Sequence, residues 1–475
     1  MKILIAITSY GRGNDNHLNS LLQELRKIPL KKDIIINSNI DKDLGNDVKC
    51  LVGRPYSDPS SLVFAHRKLF IDNLDNYDLF LYTEDDIIIS QQNVEAFLDA
   101  TRILSEHQVP GFIRYEVNYK NETVLTDIHA CYQWTSKSVR YINSKLFAEL
   151  NNKHSACYLL TKSQLAIAIQ SGNYSSRPRI SAGDVLEAGS ADPFVECGLE
   201  KIINISEIDR FLVPHLSNKY ANKWGLSLNK LREQIKVMHE IASGRLTNTT
   251  LFENQTKLLF RGFDKKYYNE RDDFILQKIG SKKQNILSVG CGEGETEAAL
   301  KSHGHEVIAI PLDHIIAALT KMHNIEVIEP DLKLSLSILS TKKFDCIMFI
   351  ESLHYVPEPE TYLEDFKKLL GDRGRIIATF MKISSPEYIE IINFMVRNFS
   401  IKYDDIYSNN KYELSGFNFI NDINVTRDWF IKAGLAIDKI YHYPISSKRR
   451  LLSAFLPRLI STKSEKLMII AHNKK

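Results

Sequence analysis

Residues 286–294 read Ile-Leu-Ser-Val-Gly-Cys-Gly-Glu-Gly, an apolar stretch that runs into a glycine-rich turn. A predicted strand therefore leads into a Gly-x-Gly-x-Gly turn, and a helix is predicted from Glu295 onward. Glycine is needed where the backbone turns tightly and a ligand approaches without meeting a Cβ atom. The motif alone fits any nucleotide-containing cofactor, and a plain strand-to-helix turn is its alternative reading.

The bulk composition describes an ordinary globular protein of more than one domain. The chain has 475 residues with 44% apolar and 25% charged residues, so two or three domains are expected. A net charge of +3 gives no reason to expect nucleic acid as a partner. The six cysteines form no C-x-x-C pair, which favours reduced thiols over disulfides or zinc. No apolar run reaches the roughly 18 residues of a membrane span, so a cytoplasmic protein is predicted.

Strand and helix signals alternate in both halves, which predicts an α/β fold with two domains. We predict a first domain over residues 1–225, a helical connector over 226–264 and a second domain over 265–475. The predicted strands are Lys2–Ser9, Asp33–Asn37, Val48–Val52, Leu79–Tyr82, Asn285–Val289, Glu306–Ile310, Asp345–Ile350, Arg375–Thr379 and Lys466–Ala471. The predicted helices are Asn19–Lys27, Ser61–Asn73, 226–243, Asp272–Lys278 and Glu295–His303.

The second half resembles the class I methyltransferases through an ordered series of short blocks. After the glycine turn come G-H-E-V-I-A-I at 304–310, I-E-P-D-L at 328–332, F-D-C-I-M at 344–348, E-S-L-H-Y-V at 351–356 and L-L-G-D-R-G-R-I-I at 369–377. The resemblance implies a Rossmann-like fold that binds S-adenosylmethionine. It places Gly290, Gly292 and Gly294 under the methionine part, and makes Asp331 the acceptor for the adenine amino group.

Two positions depart from that family pattern. Ser288 and Pro311 stand where the family usually has acidic residues, and Asp313 is the candidate replacement for the acid that binds the ribose hydroxyls. Weaker cofactor binding and a degenerate domain are both compatible with these departures. His354, at the end of a predicted strand, is a candidate general base toward a hydroxyl, with a structural histidine as the alternative.

In the first half, an apolar strand delivers three consecutive carboxylates, Glu84, Asp85 and Asp86, to its C-terminal end. Ligands of α/β sheets bind at that end. Three adjacent negative charges are costly unless a cation neutralises them, and Mg²⁺ or Mn²⁺ shared with a diphosphate would do so. A solvated acidic turn is the alternative.

The first half also resembles GT-A-type glycosyltransferases, whose D-x-D-type motif holds a metal on a nucleotide-sugar. The resemblance implies Mn²⁺ or Mg²⁺ as the cofactor and three metal ligands: Glu84, Asp86 and His215. It implies nucleotide-sugar contacts from Thr8, Arg67 and Asp85. A carboxylate base is expected among several near residues 183–196, and Asp184 and Glu187 are preferred because a helix would place them on one face.

Together the halves predict a bifunctional enzyme of surface-polysaccharide synthesis, which transfers a sugar to a glycan acceptor and a methyl group to a sugar hydroxyl. The expected partners are a nucleotide-sugar and a glycan, lipid-linked glycans included. The basic, apolar segment 448–458 leaves open a peripheral contact with the inner face of the membrane. Two alternatives remain: a glycosyltransferase with a non-catalytic methyltransferase-like binding module, and a methyltransferase with a glycan-recognition domain.

Overall fold

The computed structural model describes residues 1–174, 185–252, 264–381, 418, 423–443 and 466–474. The chain divides into two compact units, Met1–Leu246 and Thr247–Lys475. Each unit combines helices with β-sheet, as the predicted α/β class requires. Among the described residues, none of the helices is both long and apolar enough to cross a membrane.

The first unit is built on a five-stranded sheet with the order β10-β4-β1-β2-β3. Its strands are β1 (Lys2–Ser9), β2 (Lys31–Ser38), β3 (Val48–Val52), β4 (Leu79–Glu84) and β10 (Cys157–Thr161). The first four strands are parallel and β10 runs antiparallel to β4. Because β1 and β4 are parallel neighbours, their carboxyl ends lie side by side.

Two four-stranded sheets complete this unit, with the orders β5-β11-β9-β8 and β12-β6-β7-β13. Their strands are β5 (Gln108–Pro110), β6 (Ile113–Val117), β7 (Thr123–Leu125), β8 (Arg140–Ile142), β9 (Lys145–Ala148), β11 (Glu200–Asn204), β12 (Leu212–Pro214) and β13 (Leu226–Ser227). The helices are α1 (Asp15–Lys27), α2 (Ala65–Asp72), α3 (Gln91–Thr101), α4 (Lys162–Gln170), α5 (Val185–Val195) and α6 (Leu228–Ala242).

The second unit contains a seven-stranded sheet with the order β16-β15-β14-β17-β18-β20-β19. Its strands are β14 (Asn285–Cys291), β15 (Glu306–Pro311), β16 (Glu326–Val327), β17 (Phe344–Ile350), β18 (Leu370–Met381), β19 (Leu435–His442) and β20 (Lys466–Asn473). Strand β20 runs antiparallel to both of its neighbours, β18 and β19. The described helices are α7 (Asp273–Ile279), α8 (Glu295–Ser302), α9 (His314–Met322), α10 (Leu332–Leu339), α11 (Pro359–Lys367) and α12 (Ile423–Lys432).

Most predicted elements form close to their predicted bounds, and two differ. The helix predicted over 61–73 is a 3₁₀ turn, Pro59–Phe64, followed by α2, since Pro59 supplies a helix start two residues earlier. Helix α6, predicted as part of a connector, belongs to the first unit and packs on β7, β8 and β13. Its buried residues, which include Leu231 and Met238, explain this placement.

Candidate functional sites

Asp85 is held inside the first unit at the carboxyl end of β4. Its carboxylate accepts hydrogen bonds from Ser9 Oγ at 2.5 Å and from Asn14 Nδ2 at 2.7 Å. The Lys42 ammonium donates to the same Ser9 hydroxyl at 2.9 Å. The buried Thr8 contributes its carbonyl to the Asp85 amide at 3.1 Å. Asp85 and Thr8, both predicted nucleotide-sugar contacts, therefore tie β1 to β4.

Asp86 turns toward another partner, His215, which follows β12. The His215 Nε2 atom lies 3.2 Å from Asp86 Oδ2, so the structure brings two of the predicted metal ligands together. Burial opposes ionisation of Asp86, but hydrogen bonds from His215 and Ser217 hold its pKa below the usual value. The ionised form of Asp86 is therefore favoured in the folded protein.

Glu116 on β6 completes this group and was not predicted from the sequence. Its fully buried carboxylate lies 2.6 Å from His215 Nδ1, on the side of the ring opposite Asp86. It also accepts backbone N–H bonds from Lys219, Tyr220 and Ala221. A histidine that ligates a metal commonly has a carboxylate on its second nitrogen. No local sequence signal links Glu116 to His215, because the two residues are 99 positions apart.

Glu84, the third predicted metal ligand, is electrostatically different from Asp86. Burial raises the pKa of Glu84 to about 8, the Asp86 charge adds to the shift and Arg114 opposes it. Glu84 therefore keeps its proton at neutral pH unless a cation replaces it. Across the described ranges, three or more His, Cys, Asp or Glu side chains are nowhere grouped so as to hold a metal ion. The metal site remains a prediction.

Strained backbone surrounds these side chains. Ala156 and Asn218 adopt left-handed φ angles of 53° and 48°, which are uncommon for residues other than glycine. The Ala156 carbonyl accepts the Glu84 amide at 3.0 Å, and Asn218 follows Ser217 directly. Such strain concentrates at functional sites, so its position independently marks this end of β4 as a candidate site.

The structure places Arg67 in the interior, where it pairs with Asp192, and its role as a diphosphate contact stays a prediction. Its side chain has no exposed surface, and its Nη2 atom donates to Asp192 at 2.8 Å and to the Ala188 carbonyl at 2.9 Å. The guanidinium also lies over the Phe64 ring at 4.3 Å. Sequence spacing cannot distinguish this buried ion pair from a surface arginine on a helix.

Of the two predicted catalytic carboxylates, Asp184 and Glu187, the described residues include Glu187. Asp184 lies outside the described residues. Glu187 lies in the first turn of α5 and is half-buried. His154 contacts the same helix, with its Nδ1 atom 2.8 Å from Ser190 Oγ. The roles of Asp184 and Glu187 as the catalytic base remain a prediction.

The pKa of Glu84 predicts a specific pH dependence of stability. Between about pH 4.5 and 8 the folded protein holds a proton on Glu84 that the unfolded chain has released. The contribution of Glu84 to the free energy of unfolding therefore falls as the pH rises through this range. We expect the free energy of unfolding of Glu84→Gln to fall less than that of the wild type between about pH 4.5 and 8. Urea denaturation at a series of pH values measures the difference. The exposed Glu95→Gln is the control, and parallel wild-type and Glu84→Gln curves would contradict the prediction.

In the second unit, the glycine turn is shaped first by the chain itself. A Cβ atom on Gly292 would lie 2.2 Å from the Tyr267 carbonyl oxygen, which accepts the Glu293 amide at 2.9 Å. Gly290 and Gly294 have φ angles of 80° and 91°, which side chains rarely adopt. The three glycines therefore serve backbone geometry whether or not a ligand is bound.

Glu297 supplies an acid where β14 has Ser288. The Ser288 hydroxyl donates to Glu297 Oε1 at 2.6 Å, and both side chains are buried. Glu297 comes from the first turn of α8, so a helix delivers the carboxylate that the strand lacks. The sequence contains this acid nine positions after Ser288, but only the fold shows that the two meet.

The two predicted adenosine contacts both cap helices. Asp313 accepts the Ile316 amide at 2.8 Å at the start of α9, and burial raises its pKa to about 6. Asp331 accepts the Leu334 amide at 2.8 Å at the start of α10 and is exposed. N-terminal caps favour aspartate, so both residues have a structural reason to be acidic. Their cofactor roles remain predictions.

His354 lies just beyond β17, near the buried carboxylate of Glu351. Burial lowers the pKa of His354 to about 3, which makes it a weak general base at neutral pH. Nearby Glu351 has a left-handed φ of 47° and is ion-paired with Lys466. Burial opposes ionisation of Glu351, but Lys466, Lys266 and Lys265 hold its pKa at about 2. The strained carboxylate Glu351 was not predicted from the sequence.

Comparison with known proteins agrees with the geometry of the second unit. Residues 260–394 match a family described as Methyltransferase domain. Ubiquinone biosynthesis O-methyltransferase of Coxiella burnetii is 26% identical over 125 residues, which are 25% of this chain and 53% of that protein. The Xylella fastidiosa protein of the same name is 29% identical over 114 residues, 23% of this chain and 46% of that protein. The chain thus spans about half the length of the curated relatives it matches.

Solved structures of methyltransferases are also similar. A TehB-like SAM-dependent methyltransferase from Corynebacterium glutamicum is 17% identical, with a TM-score of 0.28, over 42% of this chain and 84% of that one. A SAM-dependent methyltransferase from Archaeoglobus fulgidus is 17% identical, with a TM-score of 0.30, over 40% of this chain and 86% of that one.

The family match confirms the predicted methyltransferase half in its coarse form: residues 260–394, within the C-terminal half, match a methyltransferase domain. The predicted GT-A-type half and its metal find no support in these comparisons and remain predictions.

Proposed function

We propose that this chain is a bifunctional enzyme that transfers a sugar through its first unit and a methyl group through its second. The observation that carries the methyltransferase half is the family match over residues 260–394, which includes the glycine turn. The curated relatives are named as O-methyltransferases. A sugar hydroxyl is the methyl acceptor that best agrees with a glycosyltransferase on the same chain.

The residues around the turn fit S-adenosylmethionine, whose methionine part carries positive charge. The carboxylate of Glu297 is buried beside β14, and the Ser352 side chain approaches Gly290 from the end of β17. S-adenosylmethionine supplies an activated methyl group when it is bound. The chain then has to align the acceptor oxygen and shield it from water, which is mainly a matter of positioning.

Calorimetry with S-adenosylmethionine tests this half. We expect saturable binding of S-adenosylmethionine, and we expect its product S-adenosylhomocysteine to bind as well. No heat of binding at millimolar cofactor would remove the methyltransferase proposal and favour the binding-module alternative, which Ser288 and Pro311 motivate.

The observation that carries the glycosyltransferase half is the contact between Asp86 and His215 at the carboxyl end of β4. Their separation of 3.2 Å suits two neighbouring oxygen and nitrogen ligands of one divalent cation. Mg²⁺ and Mn²⁺ commonly take one or two protein ligands and complete their shell with water and substrate phosphates. Such an ion would stabilise a nucleoside diphosphate leaving group. The proposed acceptor is a surface glycan, lipid-linked glycans included, at the inner face of the cell membrane. Segment 448–458, which was predicted as the membrane contact, lies outside the described residues.

A panel of nucleotide-sugars with Mn²⁺ tests this half through thermal stabilisation, since a ligand of the native state raises its apparent stability. We expect one donor to stabilise the wild type only with the metal, and Asp86→Ala to abolish the effect. If no donor stabilises the protein, the glycosyltransferase proposal fails and the first unit is better regarded as a glycan-recognition domain.

Glu116→Gln should weaken Mn²⁺ binding about 10- to 100-fold, the usual range for a residue that orients a metal ligand. The amide cannot replace the negative charge beside His215 Nδ1, so the Nε2 atom is less well aimed at Asp86. Calorimetric Mn²⁺ titration measures the change, with thermal unfolding to verify the fold. Glu122→Gln, an exposed change next to β7, is the matched control. Equal Mn²⁺ affinities in wild type and Glu116→Gln would contradict the assigned role.

A further inference from the structure

A row of aromatic rings leads away from His215. The His215 ring stacks on Tyr220 with centroids 5.7 Å apart, and Tyr220 stacks on Trp224 at 5.0 Å. Trp224 in turn lies 5.2 Å from the ring of His129. The row therefore begins at the residue that contacts Asp86.

Polar anchors hold this row in place. The Glu116 carboxylate binds the backbone of residues 219–221, as described above. Asn218 and Asn222 accept hydrogen bonds from the Val117 and Tyr119 amides, each at 2.9 Å. Gly225, with a φ of 125°, packs so closely on Val124 that a Cβ atom would lie 2.4 Å from its Cγ1 atom. The rings are therefore positioned before any ligand arrives.

Trp224 is nevertheless open to solvent. It exposes 41% of its surface, whereas Trp134 and Trp429 expose 1% and 5%. Tyr119, which the Asn222 side chain anchors, is 79% exposed. Lys223 is also exposed, and its ammonium lies 5.9 Å from the Tyr220 and Trp224 rings. An indole that is 41% exposed beside Lys223 buries less apolar surface than Trp134 or Trp429 does, so binding of a ligand is the better explanation for its position.

We propose that Trp224 and Tyr119 form the subsite that binds a pyranoside ring of the acceptor glycan. This inference rests on the proposed glycosyltransferase function and names the acceptor side of the same site. The C–H face of a pyranose is apolar and suits an aromatic surface, while its equatorial hydroxyls suit Lys223 and Asn222 as hydrogen-bonding partners. Because the Trp224 ring is already packed between Tyr220 and His129, its binding to a sugar costs less conformational entropy than binding by a mobile side chain would.

The position of the row favours an acceptor over the nucleotide of the donor. Trp224 lies in the loop that connects β12 to β13, the two edge strands of the sheet with the order β12-β6-β7-β13. Nucleotides bind α/β sheets at the carboxyl ends of parallel strands, here β1 and β4 of the five-stranded sheet. Asp86 and His215 lie where these two regions meet, which is where a donor and an acceptor would react.

An array of defined oligosaccharides, probed with labelled full-length protein, tests the subsite. We expect the wild type to bind at least one class of glycan and Trp224→Ala to bind it about ten-fold more weakly. Tyr141→Ala is the matched control, because Tyr141 is 43% exposed but lies outside the row. Glycan binding should also protect Trp224 fluorescence from acrylamide in the wild type. Equal glycan binding by wild type and Trp224→Ala, or no binding to any oligosaccharide, would overturn the proposal.

The donor side separates this inference from the function on which it rests. Trp224→Ala should keep the Mn²⁺-dependent thermal stabilisation by a nucleotide-sugar, because the ring contacts of Trp224 are with His129 and Tyr220, which belong to neither β1 nor β4. A wild type that binds nucleotide-sugar while Trp224→Ala keeps full glycan affinity would remove the subsite alone. A wild type that binds no nucleotide-sugar would remove the glycosyltransferase function as well.

Discussion

Arg67→Met is expected to lower the free energy of unfolding of the first unit by about 3–5 kcal/mol. The variant removes the guanidinium from the Asp192 carboxylate, and both side chains are fully buried in the native protein. A carboxylate that loses its cation inside a protein must either remain charged at high cost or take up a proton. Urea denaturation followed by pulsed hydrogen exchange measures the effect, because it follows peptides from β1 and β14 separately.

Lys68→Met, at the next position along α2, is the matched control. Lys68 pairs with Asp72, but the two side chains are 75% and 51% exposed, so a change of at most about 1 kcal/mol is expected. The double variant Arg67→Met with Asp192→Leu should recover part of the loss, since it removes both charges together. If Arg67→Met kept wild-type stability and lost only nucleotide-sugar binding, the ligand role predicted from the sequence would be right and the structural role wrong.

Gly292→Ala is expected to lower the free energy of unfolding of the second unit by about 1–3 kcal/mol and to abolish S-adenosylmethionine binding. The new methyl group would lie 2.2 Å from the Tyr267 carbonyl oxygen, far inside any permitted contact. Relief requires the Tyr267 backbone to move, which breaks its hydrogen bond with the Glu293 amide. The glycine turn then loses the neighbour that fixes its shape. Thermal unfolding and calorimetry with the cofactor measure the two effects.

Gly371→Ala provides the control in the same unit. Its Cβ atom would meet only the Phe344 carbonyl oxygen at an ordinary 3.6 Å, so both stability and cofactor binding should be retained. A stable Gly292→Ala protein with normal cofactor affinity would show that the Tyr267 backbone does not pack on the turn as described.

Local pattern was enough to predict the frame of this protein. Strands β1 and β3 have the predicted bounds, and β14 is only two residues longer than predicted. Alternating buried strands and amphipathic helices encode an α/β fold, because the apolar periodicity of a segment is set by its own residues. The same holds for the glycine turn, where positive φ angles require glycine at fixed positions. The sequence by itself therefore determined the α/β class and the carboxylates at the end of β4, and its resemblance to the class I methyltransferases predicted the second half.

Only the tertiary structure decided what the charged residues do. Arg67 meets Asp192 across 125 positions, Glu116 meets His215 across 99, and Ser288 receives its acid from a helix. Whether a charge binds a ligand or a buried partner depends on its distance to other charges and on its exposure. Neither quantity can be obtained from spacing along the chain, since both arise when distant segments pack together.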